Sequence, residues 1–169
     1  RPPRTPTGPV TFGMLEGDRV DMARRALARA EGLGAGATLV TDASPERLLR
    51  DADVLVTLAW PPGGETHQLA HAALEAGVPV VALETILTAE WPALDPQTWR
   101  PRGLTTDPPS LVTIDPRDEE HSLVLAMRRL SSDAALRSEL GEAARSWSQT
   151  HEAATIAIER AAKSLRDLR

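Results

Sequence analysis

One segment, residues 51–84 (DADVLVTLAWPPGGETHQLAHAALEAGVPVVALE), limits what this chain can become more than any other stretch. DVLVTLA is a near-continuous apolar run, as a parallel strand covered on both faces must be. Gly63 and Gly64 let the chain turn sharply after it, so that the amides opening the next helix point back across the strand end. Gly77 stops that helix, and GVPVVALE repeats the strand signal. Strand, glycine turn, helix and strand in direct succession predict a parallel α/β sheet. In such a sheet, ligands bind in the crevice outside the carboxyl ends of the strands, where a helix N-terminus favours phosphate.

The flanking segments continue the alternation. PVTFGML (9–15) is a short apolar run of β-formers, expected as the first strand. Over 19–31, Val20, Ala23, Ala26, Leu27 and Ala30 recur at helical spacing with arginines opposite. GLGAG ends that helix and ATLVT makes the next strand. Ser44 reads as an N-cap, with Pro45 at the first position of a short helix to Arg50. Residues 85–109 break the rhythm with Trp91, Trp99, five prolines and no clear period. This reads as a functional loop or as an insertion packed by its own side chains, with packing the preferred role for its tryptophans. SLVTIDP resumes the strand pattern, and Asp115 with Pro116 reads as cap and first turn of a helix to about Leu130. Asp133 opens another helix, with Leu136, Leu140, Ala143 and Trp147 on one stripe. A last one, near 153–168, offers Ile158, Ala161, Leu165 and Leu168.

Composition removes whole classes of function. A chain of 169 residues can bury one substantial core, which argues for a single domain over 9–169, with helices from about 133–169 as its cap. The Pro-rich start, RPPRTPTGP, reads as a linker or cut end over 1–8 and points to a larger parent protein. With four Trp, one Phe and no Tyr, the core must be built from Leu, Val and Ala. A net charge of −5 offers no basic stripe for a nucleic-acid backbone, and the scarce aromatics offer no platform for its bases. The absence of cysteine excludes disulfides, thiolate catalysis and Cys-based zinc sites. No apolar run approaches the ~20 residues of a membrane span. With no signal peptide visible either, the expected location is cytoplasmic.

The crevice supplies the candidate site. Gly63, Gly64, Glu65 and Thr66 can present amides and a hydroxyl to a diphosphate. The plainer alternative is a turn and helix start, with Glu65 favoured by the helix dipole; the buried strand just before it tips the reading towards a ligand. Glu84 follows VPVVAL at the same edge and is either a sugar or ribose contact or a simple loop carboxylate. His67, His71 and Glu75 recur every fourth residue, a spacing that can hold a metal. Because Leu69, Ala72, Ala73 and Ala76 form the opposite, apolar face, the trio reads instead as a solvated polar face, and no metal is expected. His121 and His151 read as surface residues, and Asp51 and Asp53 as caps or solvated groups at a strand entry. No Ser-His-Asp set, P-loop or Gly-x-Gly-x-x-Gly fingerprint occurs.

The tail, LVTIDPRDEEHSLVLAMRRLSSDAALRSELGEAARSWSQTH, resembles the end of the retaining GT-B glycosyltransferases of the large group that includes sucrose and glycogen synthase relatives. SDAALRSELGEAAR (132–145) is similar to that family's SDPxLRxxLGEAAR segment. RDADVLVTLAW resembles its alanine-aspartate strand, and LEAGVPVVALE its Gly-x-Pro-Val-Val strand. The resemblance covers residue 44 to the C-terminus. It implies a three-layer α/β/α Rossmann-like domain with a mainly parallel sheet of about five strands, half of a GT-B fold, followed by C-terminal helices. It also implies a UDP- or GDP-sugar donor, glycosyl transfer as the reaction, no organic cofactor, no metal, and an acceptor domain in the preceding half. In isolation, the last helical stripe is expected to fold back or to mediate self-association.

This chain departs from the family pattern in two places. Counted back from Gly77, the family's two donor glutamates would fall at Gly64 and Ala72, and neither is acidic. Glu65 and Glu75 lie nearby but about 80° apart around the helix. In the N-terminal half, one alignment sets Arg19 where a phosphate-binding Lys stands, and another gives Arg19 no phosphate role. Two functions therefore stand side by side. One is a glycosyltransferase-like domain binding a nucleotide-activated sugar within a larger enzyme. The other is a degenerate, non-catalytic module acting in protein interaction or stabilisation. A third resemblance, of ADVLVTLAWPPGGETHQL to a strand of the hydroxyacid dehydrogenases, lacks the glycine fingerprint that would support it.

Overall fold

The apolar runs become short strands buried on both faces. The computed structural model describes residues 8–167 apart from 18, 33, 35 and 103–105, and of residues 152–167 only the helical backbone. In chain order the elements are β1 (Val10–Gly13), α1 (Val20–Gly32), β2 (Ala37–Val40), α2 (Pro45–Asp51), β3 (Val54–Thr57) and α3 (Gly64–Ala76). They continue with β4 (Val80–Leu83), β5 (Ala93–Leu94), β6 (Pro101–Arg102), β7 (Leu111–Ile114), α4 (Glu119–Ser132) and α5 (Ala134–Asp167). Along the fully buried β3, β4 and β7, successive side chains divide between two cores, as a period of two requires. Val54, Val56, Val81 and Val112 share one core with Ala23 and Ala26 of α1 and Leu123 and Met127 of α4. Leu55, Val80, Ala82 and Leu111 share the other with Leu48 of α2 and Leu69 and Ala73 of α3. The result is the expected three-layer, mainly parallel Rossmann-like sheet. Among the described residues no helix is long and apolar enough to cross a membrane.

Strand order places the crevice. The sheet runs β2-β1-β3-β4-β7-β5-β6, and β1 pairs in parallel with β2 on one side and with β3 on the other. After β2 the chain must therefore cross back over β1 before the sheet grows through β3, β4 and β7. Strand order reverses between β1 and β3, so their diverging connections leave a gap at the carboxyl ends.

Three expectations need correction. The sheet has seven strands rather than about five, because the irregular 85–109 segment adds β5 parallel to β7 and β6 antiparallel to β5. Two-residue strands carry no readable period. Asp115 and Pro116 do not open α4: the helix begins at Glu119, and Asp115 instead accepts the Arg117 amide in a turn at 2.9 Å. The Arg117 side chain, and then its amide, hold the Asp115 carboxyl down at about 2. The two C-terminal helices are one, α5, since no glycine or proline follows Gly141 to stop it. Of the two roles expected of Asp53, the structure has the cap: it accepts the Thr11 amide at 2.9 Å and ties the entry of β3 to β1. The stripe from Ile158 to Leu168 lies outside the described side chains, as do residues 1–7.

The glycosyltransferase-like tail motif works here as a structural corner. Asp133 accepts the Leu136 amide at 2.9 Å, capping the start of α5, while the Arg137 guanidinium bonds the Leu130 and Ser131 carbonyls at the end of α4. One turn further, Gly141 packs on Gly77, and Arg145 donates to the Ala76 carbonyl at 3.1 Å. The segment thus closes the C-terminal ends of both α4 and α3.

Candidate functional site

Three adjoining hollows lie along the carboxyl edge. The inner one, about 200 Å³, occupies the strand-order reversal, with Leu15 and Gly17 after β1, Ala59 and Trp60 after β3, and Arg19 and Thr66 beside them. A small one, about 30 Å³, sits over the glycine turn between Gly63, Thr66, His67, Thr85 and Thr88. The outer one, about 470 Å³, lies between Trp60, Pro62, Glu84, Ile86 and Glu119, with Arg19 shared between it and the inner hollow. Four of the six residues expected in the site therefore line these hollows: Arg19, Gly63, Thr66 and Glu84. Gly64 and Glu65 are exposed at the start of α3 and line none of the three.

The turn that opens α3 depends on glycine. Gly63 has φ 123° and ψ −161°, and Gly64 follows with φ 60°. The first conformation is essentially closed to any residue with a Cβ. No side chain caps α3, so its first amides remain available to an outside acceptor. By contrast, α4 opens at the same edge with Asp118, Glu119 and Glu120, and this acidic first turn repels anions. Of the two helix openings at this edge, that of α3 is the one that favours an anion.

Both charged candidates that line the hollows already have partners. Arg19 forms an ion pair with Glu119, and Glu84 forms one with Arg102. The Arg19–Glu119 pair is largely buried, with side chains 26% and 16% exposed, so opening it costs more than the roughly 1 kcal/mol or less of a solvent-exposed pair. A hydrogen bond to a charged phosphate contributes about 1.5–3 kcal/mol. A phosphate and Glu119 would therefore compete for Arg19.

Although Glu75 stays exposed, the face carrying His67 and His71 is half-buried rather than solvated, which corrects the reading from spacing alone. Trp91 covers it: its ring stacks on His67 (centroids 5.4 Å apart, 26°) and meets His71 edge-on at 4.8 Å. Trp147 of α5 approaches Trp91 at 5.9 Å and stacks on the otherwise exposed His151 at 4.8 Å. His67 and His71 face each other, Nε2 to Nε2, at 3.2 Å. Among the described residues no group of three potential ligands could hold a metal ion. Trp91 and Trp99 take the packing roles expected of them, the latter lying under the Arg129 guanidinium.

This enclosure has a pH consequence. Burial pushes the His71 imidazole below its ordinary 6.5, and His67 and His151 act in the same direction. The unfolded chain then binds the proton more readily than the folded one, so stability rises with pH across the window between the two values. The contribution is complete above about 6.5 and is lost as the pH falls through the lowered value. We expect the thermal midpoint to drop between about pH 7.5 and 5.5, and the drop to shrink in His71→Gln. An identical pH slope in wild type and variant would assign the effect to other groups.

Sequence reasoning missed Trp60, Glu119 and Thr85. Trp60 left one signal, a large aromatic placed between a buried strand and two prolines. Glu119 left none, because its pairing with Arg19 depends on the packing of α4 against α1.

Comparison with known proteins bears on the fold. No protein-family description matches the chain, and no curated protein does. Among solved structures it is similar to WaaG, a glycosyltransferase involved in lipopolysaccharide biosynthesis, with a TM-score of 0.58 at 18% identity. The match covers 86% of this chain but 44% of the WaaG chain. The chain thus has the fold of about half a GT-B glycosyltransferase.

Proposed function

We propose that this chain binds a nucleotide-activated sugar of the UDP or GDP type, as the donor domain of a larger glycosyltransferase. The observation that carries the reading is the inner hollow. It lies at the strand-order reversal and is lined by Thr66 from the uncapped first turn of α3, by the acidic Glu16 and, as its one cation among the described residues, by Arg19. Preorganised amides and a guanidinium suit the charge that develops on a departing nucleoside diphosphate. Glu84 is the carboxylate within reach of a ribose or sugar hydroxyl at the same edge. The acceptor would be held by a further domain.

Calorimetric titration with UDP and GDP tests this. Arg19→Ala should weaken binding by about 10-fold or more, the equivalent of one charge-assisted hydrogen bond. Glu119→Gln, which removes the competing carboxylate, should strengthen it. Binding that ignores both changes would move the phosphates away from Arg19.

A second reading is favoured by one observation: Arg19 and Glu84 are both engaged within the chain, and Gly64 and Ala72 stand where donor glutamates are expected. On that reading the domain is a non-catalytic module for interaction or stabilisation. No binding up to millimolar nucleotide would favour it.

A further inference from the structure

Among the described residues three large apolar side chains are exposed: Trp60 (59%), Ile86 (87%) and Leu87 (39%). Single exposed apolar residues are ordinary, but these three converge on one place. Trp60 and Ile86 line the outer hollow, and Leu87 lies over the glycine turn, its Cδ1 4.0 Å from where a Cβ on Gly63 would stand. A volume of about 470 Å³ falls within the ordinary range for small-molecule sites. Its charged residues are Arg19, Glu84 and Glu119, each held in an ion pair. The outer hollow therefore presents apolar surface over a neutralised floor and does not suit a phosphate. The inner hollow, on the other side of Trp60 and Arg19, also carries a carboxylate, Glu16, and differs in reaching Thr66 at the uncapped start of α3.

We infer that Trp60 is the platform of a second subsite, which takes an uncharged planar ring while the charged part of the ligand lies at the opening of α3. The placing of the charged part rests on the donor reading above; the ring subsite rests on Trp60 and its hollow. The indole stacks one face of the ring, and Ile86 and Pro62 shield its edges from water. Such a ring has two sources, the base of the donor nucleotide or an apolar aglycone on the acceptor. By analogy with bases stacked on aromatic side chains, loss of the platform should weaken binding by about 5- to 150-fold.

The experiment uses tryptophan fluorescence and calorimetry on wild type, Trp60→Ala and Trp60→Phe, each checked for folding by circular dichroism. Trp91 is buried, and Trp99 and Trp147 are packed, so Trp60 dominates the solvent-quenchable emission. The probes are UDP, GDP, pyrophosphate and phenyl glucoside. Nucleotide binding that perturbs Trp60, weakens in Trp60→Ala and survives in Trp60→Phe, with pyrophosphate indifferent to both, assigns the subsite to the base. The same pattern with phenyl glucoside assigns it to an aglycone, and it stands even if no nucleotide binds and the donor reading fails. Nucleotide binding equal in all three proteins, with no phenyl glucoside bound, overturns the subsite and leaves the donor reading intact. No binding of either ring-bearing probe overturns the subsite.

Discussion

Gly141→Ala should lower the unfolding free energy by about 1–3 kcal/mol. Helix propensity alone predicts the opposite, since alanine inside a helix gains about 1 kcal/mol over glycine. The contact decides the sign. A Cβ at position 141 would clash with the Gly77 carbonyl oxygen, well inside the 3.4 Å where ordinary contacts begin. The obstacle is backbone, and Gly77 closes α3 in the left-handed conformation (φ 69°) with its amide bonded to the Ala73 and Leu74 carbonyls, so it cannot yield cheaply. α5 must instead retreat from α3, loosening the fully packed Ala144 and the bond from Arg145 to Ala76. A shift of the urea midpoint with the slope unchanged is the expected signature. A variant as stable as the wild type would show that the corner between α3 and α5 is softer than its geometry indicates.

Gly63→Ala should cost a comparable ~1–3 kcal/mol for a different reason, and should also abolish ligand binding. Space is not the issue here: the nearest atom to a Cβ at this position is Leu87 Cδ1 at 4.0 Å. The penalty comes from φ 123° and ψ −161°, a conformation alanine avoids. The chain either keeps the turn under strain or releases it by rotating the peptides that open α3, and release removes the amides aimed at the crevice. Urea unfolding and UDP titration on the same variant separate the two costs. Gly64→Asn is the matched control, since φ 60° is accessible to asparagine and should leave the turn in place. Full nucleotide affinity in Gly63→Ala would remove the helix opening from the proposed mechanism.

Much of this architecture was legible because buried parallel strands announce themselves locally. DVLVTLA and GVPVVALE could hardly be anything but strands covered on both faces, and the glycine turn between them had to open at a carboxyl edge. Thr66 and Glu84 could be nominated for the same reason, since one opens a helix and the other follows a strand at that edge, whereas Arg19 was nominated only through the family resemblance. The two-residue strands β5 and β6 could not be read, because two residues define no period. The division of the C-terminal region into two helices had no breaker to support it, and the structure runs through.

The sequence by itself determined the alternation of strands and helices, the two-sided core and the position of the crevice, because each depends on patterns a few residues long. The tertiary structure alone decided which charges are neutralised, which rings are enclosed and which tryptophan is left at the mouth. Glu119 reaches Arg19 only when α4 lies against α1, and Trp91 covers His67 and His71, with Trp147 behind it, only when an irregular loop and α5 close on α3. Such pairings are set by how elements pack, and an ion pair or a ring contact leaves no periodic trace along the chain.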